Sequence, residues 1–234
     1  MKRVGLLGAG VALAVLVAVQ VNIEPGAGSA RYVAEADTPT VAPGADLLAG
    51  VIEIPVRVPG YDYRRDAFGE SWDDDNDAPG GRNGCDTRND ILDRDLVEKS
   101  YVSIKRCPTA VAAGTLIDPY TNATIAFVRG NQIGASVQID HIVALSLAWD
   151  LGARNWTDEL RMRFANDPAN LLAVDGPTNQ LKGDSEPAVW MPPNRAFWCQ
   201  YAVQFAAVLR GYGLPVDAPS ARVLRDAAST CPTG

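Results

Sequence analysis

The chain of 234 residues is poor in the groups from which most hydrolytic and metal centres are built. It has one histidine, at position 141, so no site of two or three imidazoles can form, and a zinc centre of that kind is excluded. No G-x-S-x-G occurs, which removes the strained nucleophile turn of serine hydrolases. The four cysteines, Cys85, Cys107, Cys199 and Cys231, lie far from any C-x-x-C spacing, so they do not read as metal ligands. A basic excess is also missing. The net charge is −7, and removal of residues 1–30 takes away Lys2, Arg3 and Glu24, leaving 19 basic and 27 acidic side chains and a charge of −8. So acidic a chain lacks the cationic footprint of a protein that tracks along nucleic acid, although a bound metal and a few local cations could still manage one phosphate.

What is present begins with an export pattern. Met1-Lys2-Arg3 is basic, Val4 to Val19 is apolar and uncharged, and small residues follow at Gly28-Ser29-Ala30 and Ala34-Glu35-Ala36. Basic start, apolar centre and small-x-Ala describe a secretory signal over residues 1–30, with cleavage as late as 36. A retained N-terminal membrane anchor is the alternative, but the run falls short of the ~20 apolar residues a spanning helix needs. No later segment is apolar enough to span, so no stable membrane partner is expected after cleavage. In an exported chain an even cysteine count reads as disulfides. Four cysteines allow three connectivities, and locality favours Cys85–Cys107 with Cys199–Cys231.

Residues 31–50, rich in Ala, Pro, Gly and Thr, read as a flexible lead-in, and 51–234 as a single domain. Hydrophobic residues make up 47% and charged residues 21%, an ordinary globular balance. Glu53 to Pro59 is a short extended segment. Asp73 to Gly81 is an acidic loop; a Ca²⁺ loop would need a bidentate Glu at its twelfth position, which is absent. Thr87 to Val97 has helical spacing, with Asp86 or Thr87 as cap. Residues 113–117 and 123–127 flank the turn Asp118-Pro119-Tyr120-Thr121-Asn122 as a hairpin. Strands are expected at 137–142 and 170–174, and helices at 145–151 and 157–165. A further helix starts at Asp175-Gly176-Pro177, and two more run over 194–210 and 219–228, parted by Gly211, Gly213 and Pro215. Trp190, Trp198, Tyr201 and Phe205 fall near helical spacing and read as core rather than as a base-stacking surface.

The sole histidine sits in Ile139-Asp140-His141-Ile142-Val143, at the end of an apolar strand. Asn170-Leu171-Leu172 opens the next strand, and Asn179-Gln180-Leu181-Lys182 falls in the helix after it. A neutral imidazole can accept a proton from water near neutral pH. A carboxylate and an amide oxygen are hard ligands suited to Mg²⁺ (or Mn²⁺). One objection follows from the pleat: neighbours in a regular strand point to opposite faces, so Asp140 and His141 must lie where the strand ends or bulges to serve one site.

The segments DHIVAL, NDPANLLAV and TNQLKGD resemble the HNH nuclease superfamily, with its ββα-metal fold. The nearest likeness is to secreted bacterial members and the C-terminal domain of GmrSD-type restriction enzymes. The tracts Gly84-Cys85-Asp86-Thr87-Arg88-Asn89, Asp118-Pro119-Tyr120-Thr121 and Trp190-Met191-Pro192-Pro193-Asn194 extend the resemblance from about Tyr61 to Cys231. It implies an α+β domain in which a ββα-metal core, about 113–190, is embedded in additional helices and trimmed by two disulfides. It further implies His141 as general base, Asn170 as the residue that ties the loop and orients the histidine, and Asp140 and Asn179 as metal ligands. Asn179 stands where the superfamily name has its final H, which favours Mg²⁺ or Mn²⁺ over Zn²⁺. Lys182, one helical turn on, is expected at a substrate phosphate. Arg88 and Arg65 are further phosphate candidates, with ion pairs to the acidic loop as the alternative. The expected activity is secreted, metal-dependent endonucleolytic hydrolysis of nucleic acid, DNA rather than RNA, with low sequence specificity. An exported cell-envelope or binding protein on a degenerate nuclease scaffold is the rival, favoured by the acidic charge.

Overall fold

A computed structural model of the chain describes residues 39–42, 44–130 and 136–233; the expected signal segment lies outside them. The described elements run in order β1 (Glu53–Ile54), α1 (Thr87–Asp95), β2 (Val97–Ile104), β3 (Cys107–Ile117), β4 (Thr124–Val128), β5 (Val137–His141), α2 (Leu145–Leu151), α3 (Asp158–Asn166), β6 (Leu171–Asp175), α4 (Gly176–Lys182), α5 (Trp198–Tyr212), β7 (Val216–Asp217) and α6 (Ala218–Ala228). This is an α+β domain with two disulfides, Cys85–Cys107 and Cys199–Cys231. No helix among the described residues is long and apolar enough to cross a membrane.

Local chemistry sets most helix starts. The carboxylates of Asp86, Asp175 and Asp217 accept from the backbone N–H two or three residues into α1, α4 and α6, and the Thr157 hydroxyl does the same for α3. Each satisfies one of the donors a helix leaves unpaired at its first turn. Pro177 and Pro219 lie in the first turns of α4 and α6, where a missing N–H costs nothing. At the other end, α5 stops at Gly213, whose φ of 63° lets its N–H turn back to the carbonyls of Leu209 and Arg210.

Among the described residues the strands form three small sheets. β2, β3 and β4 form an antiparallel sheet, β5 pairs with β6 antiparallel, and β1 pairs with β7 in parallel. The hairpin β3–β4 matches the expected pairing, with Ile117 opposite Thr124. Strand β2 was not legible: Val97, Tyr101 and Val102 are exposed, so no buried alternation marks it, and its pairing to β3 is broken by register shifts. β5 divides two cores. Val137 and Ile139 join Ile91, Leu92 and Phe127 in a smaller cluster between α1 and the sheets. On β6, Leu172 and Val174 face the other way, into the larger cluster with α2, α3, α5 and α6.

The lead-in needs a correction over its described part. Residues 44–50 form turns rather than a flexible tail; Leu48 is 2% exposed and packs into the larger core. The guanidinium of Arg210 donates to the Leu47 and Ala49 carbonyls, and Arg225 pairs with Asp46. Farther on, Arg57 draws the 55–59 strap onto the body through Asp150, Asp184 and Glu186, at 2.7, 2.9 and 2.8 Å. The acidic loop closes on itself: Asp74 accepts from the N–H groups of Asn83 and Gly84, while Arg82 pairs with Asp75 and Asp77.

Candidate active site

The end of β5 and the start of α4 meet in a cleft of about 470 Å³ bordered by Arg65, Trp72, Arg88, Asp140, His141 and Asn179. In register, Asp140 lies opposite Leu172 and His141 opposite Leu171, at the last rung of the β5–β6 pair. The pleat sends the two side chains to different neighbours. Asp140 turns toward Tyr120 and Lys182, and His141 toward Ala165 and Trp72. Strand alternation alone would part them, but the strand stops there and both border the same cleft.

His141 is 7% exposed, and its Nε2 lies 2.8 Å from the carbonyl oxygen of Ala165. A carbonyl only accepts, so in the neutral ring the proton resides on Nε2 and the lone pair on Nδ1. Burial holds the imidazole pKa down to about 3, with Arg65 and Lys182 acting in the same direction. The ring is therefore neutral, and that hydrogen bond leaves Nδ1 uncommitted. It stacks on the Trp72 indole at a centroid distance of 5.5 Å and 11° between planes.

Asn170 is fully buried. Its Oδ1 accepts from the Val143 N–H at 2.9 Å, and its Nδ2 donates to the Val143 carbonyl at 3.2 Å. Its own backbone carbonyl accepts from the Ile142 N–H. The amide thus pins the turn directly after His141. It holds the backbone of that turn, which is the loop-tying part of the role expected for it.

Asp140 is 5% exposed. Burial pushes its carboxyl above the ordinary value, against the opposing pull of Lys182 and Tyr120. The Lys182 ammonium lies 2.8 Å from one carboxylate oxygen and 2.7 Å from the His141 carbonyl, and the Tyr120 hydroxyl donates to the same carboxylate. Lys182 has 0% exposure, so its expected role at a substrate phosphate is corrected. A buried carboxylate requires a partner, and the helical turn that was to carry Lys182 outward instead points it under the site.

Asn179 is half-buried on α4, and its Nδ2 donates to Gln138 Oε1 at 2.9 Å, which leaves Oδ1 uncommitted by that bond. Among the described residues no three His, Cys, Asp or Glu side chains converge on one point. A cation here would be held by one carboxylate and one amide oxygen, with water completing the shell. By type these donors suit Mg²⁺ or Mn²⁺ better than Zn²⁺, but both Asp140 oxygens already lie against the Lys182 ammonium, at 3.0 and 2.8 Å. Arg88 borders the cleft and donates to the Val137 carbonyl at 3.0 Å, rather than to the acidic loop. Arg65 is exposed at the rim.

Sequence reasoning missed Tyr120, Trp72 and Gln138. Tyr120 stands in the quoted Asp118-Pro119-Tyr120-Thr121 tract, which could have flagged it. Nothing near Trp72 marks its partner, 69 positions away.

Comparison with known proteins follows the same residues. The sequence model of GmrSD restriction endonucleases, C-terminal domain, matches residues 86–219, a span that includes Arg88, Asp140, His141, Asn170, Asn179 and Lys182. A relative from Arthroderma benhamiae (strain ATCC MYA-4681 / CBS 112371), named "Uncharacterized secreted protein", is 34% identical over 221 residues, covering 94% of this chain and 98% of the relative. That relative is fungal, not bacterial. The chain belongs to the family of GmrSD restriction endonuclease C-terminal domains.

Proposed function

We propose that this protein is an exported endonuclease of the HNH type that hydrolyses phosphodiester bonds. Its substrate is DNA in preference to RNA, cut with low sequence specificity, and Mg²⁺ or Mn²⁺ is required. One observation carries the reading: a neutral imidazole, committed through Nε2 to the Ala165 carbonyl, shares a cleft with Asp140, Asn179 and two arginines. Family membership, the secreted relative and the paired disulfides support the chemistry and the export.

In this reading Nδ1 of His141 accepts the proton of the attacking water. Arg65 and Arg88 offer charge-assisted hydrogen bonds to the phosphate oxygens. Asn170 holds the 142–143 turn so that the imidazole keeps its place. Asp140 and Asn179 would hold the divalent ion, whose chemistry is to stabilise charge on the phosphate and the leaving 3′ oxygen. With a mature charge of −8 and only two arginines at the cleft, little binding energy comes from a long basic track, which disfavours sequence reading.

The rival, a binding protein on a nuclease scaffold, rests on one feature: the Lys182 ammonium already neutralises Asp140. Metal titration separates the two. Asn179→Ala is expected to raise the Mg²⁺ concentration for half-maximal cleavage by at least ~10-fold, a loss typical even of groups that only support a ligand. Asn179→Asp keeps an oxygen and adds charge, so the requirement should hold or fall. Equal metal dependence in the parent and Asn179→Ala removes Asn179 from the ligand set.

A further inference from the structure

Trp72 precedes the acidic loop and belongs to none of the roles assigned above. Its φ of 63° lies in the left-handed region that a bulky L side chain rarely adopts. Such backbone persists only where surrounding contacts impose it, and it collects at functional sites. Here the contacts are specific. The Trp72 carbonyl accepts from the Thr87 N–H at 3.2 Å. The Thr87 hydroxyl in turn donates to Asn166 Oδ1 at 2.8 Å, at the C-terminal end of α3. The residue before Asn166 is Ala165, whose carbonyl receives His141 Nε2. Both handles on the imidazole, the indole face and the carbonyl, are thus tied to each other through Thr87. Two residues before Thr87, Cys85 is fixed to β3 by its disulfide to Cys107.

We propose that Trp72 is a positioning residue that holds the His141 ring by stacking on it, keeping Nε2 on the Ala165 carbonyl and Nδ1 available as the base. The proposal rests on the nuclease reading for its kinetic consequences, but not for its structural one. A buried ring with one hydrogen bond still has a rotational degree of freedom about that bond. A flat aromatic face 5.5 Å away and nearly parallel removes it.

The single histidine makes the test direct, provided the protein is purified without a polyhistidine tag. At a fixed neutral pH, the ¹⁵N and ¹H resonances of the parent imidazole should report one tautomer, protonated on Nε2, with ring protons shifted upfield by the indole. In Trp72→Ala the upfield shift should vanish and the two nitrogens should move toward averaged tautomers. Its kcat for oligonucleotide cleavage should fall by about 10–100-fold, as expected for a misplaced catalytic group. KM and the Mg²⁺ requirement should not change. Trp72→Phe, which keeps a flat ring, should retain most of the rate and a single tautomer. Should Trp72→Ala fail to fold, Trp72→Leu, apolar but without a ring face, carries the same expectations. An unchanged imidazole spectrum and kcat in the ring-less variant overturn the proposal, as does a raised KM at constant kcat, which would place the indole on the substrate. A parent that cuts no nucleic acid sinks the nuclease reading alone, because the imidazole spectra still decide the role of Trp72.

Discussion

His141→Ala is expected to lower the initial rate of oligonucleotide cleavage by ~10²–10⁴-fold, the usual contribution of a positioned general base. Raising Mg²⁺ should not recover it, because the defect lies in proton transfer rather than in ligation. The same substitution has a second, independent signature in stability. Folding holds the imidazole pKa down to about 3, whereas an unfolded histidine binds a proton below about 6.5. The folded state therefore excludes a proton that the unfolded state takes up. The stability this group contributes is complete above pH ~6.5 and is lost progressively as the pH falls toward 3. Melting temperatures measured from pH 7 to 3 should decline less steeply in His141→Ala than in the parent. Parallel curves would mean that the ring is not held neutral by burial.

The second large effect is expected at Lys182, and it is one of folding. Its ammonium has no exposure and faces the buried Asp140 carboxylate. Removing one member of such a pair leaves an uncompensated buried charge, which typically costs about 3–5 kcal/mol. Lys182→Met, which keeps a long apolar side chain, should therefore lower the melting temperature by on the order of 10 °C. Adding Asp140→Asn should return much of the loss, since no charge then remains to be neutralised. Mg²⁺ should also restore part of the stability of Lys182→Met, the ion supplying the missing positive charge beside Asp140. A single-variant loss below ~1 kcal/mol, the range of exposed pairs, would contradict the burial of this ion pair.

How much could be read from the sequence depends on how far apart the partners lie in the chain. Caps such as Asp86 and Asp175 are legible because donor and acceptor lie within three positions of each other. The hairpin over β3 and β4 is legible for a similar reason, two β-prone runs around a short turn. The disulfides follow from cysteine locality, with separations of 22 and 32 residues. His141, Asp140 and Asn179 were picked as site residues, and they do border one cleft. The readings that failed depended on a partner elsewhere in the chain. Lys182 looks like a surface cation one turn beyond Asn179 until Asp140, 42 positions away, is brought beneath it. Strand β2 has no amphipathic pattern of its own and takes its structure from β3. Residues 44–50 have the composition of a linker, yet Leu48 finds a site in the larger core and Arg210 anchors the carbonyls beside it.

The central claim is that this cleft hydrolyses phosphodiesters with His141 and a divalent ion. Its most direct test is nicking of supercoiled plasmid by the purified mature protein in Mg²⁺, in Mn²⁺ and in EDTA. The account predicts relaxed and linear products with either metal and none in EDTA. Intact plasmid under all three conditions, from a folded and fully disulfide-bonded protein, would contradict it.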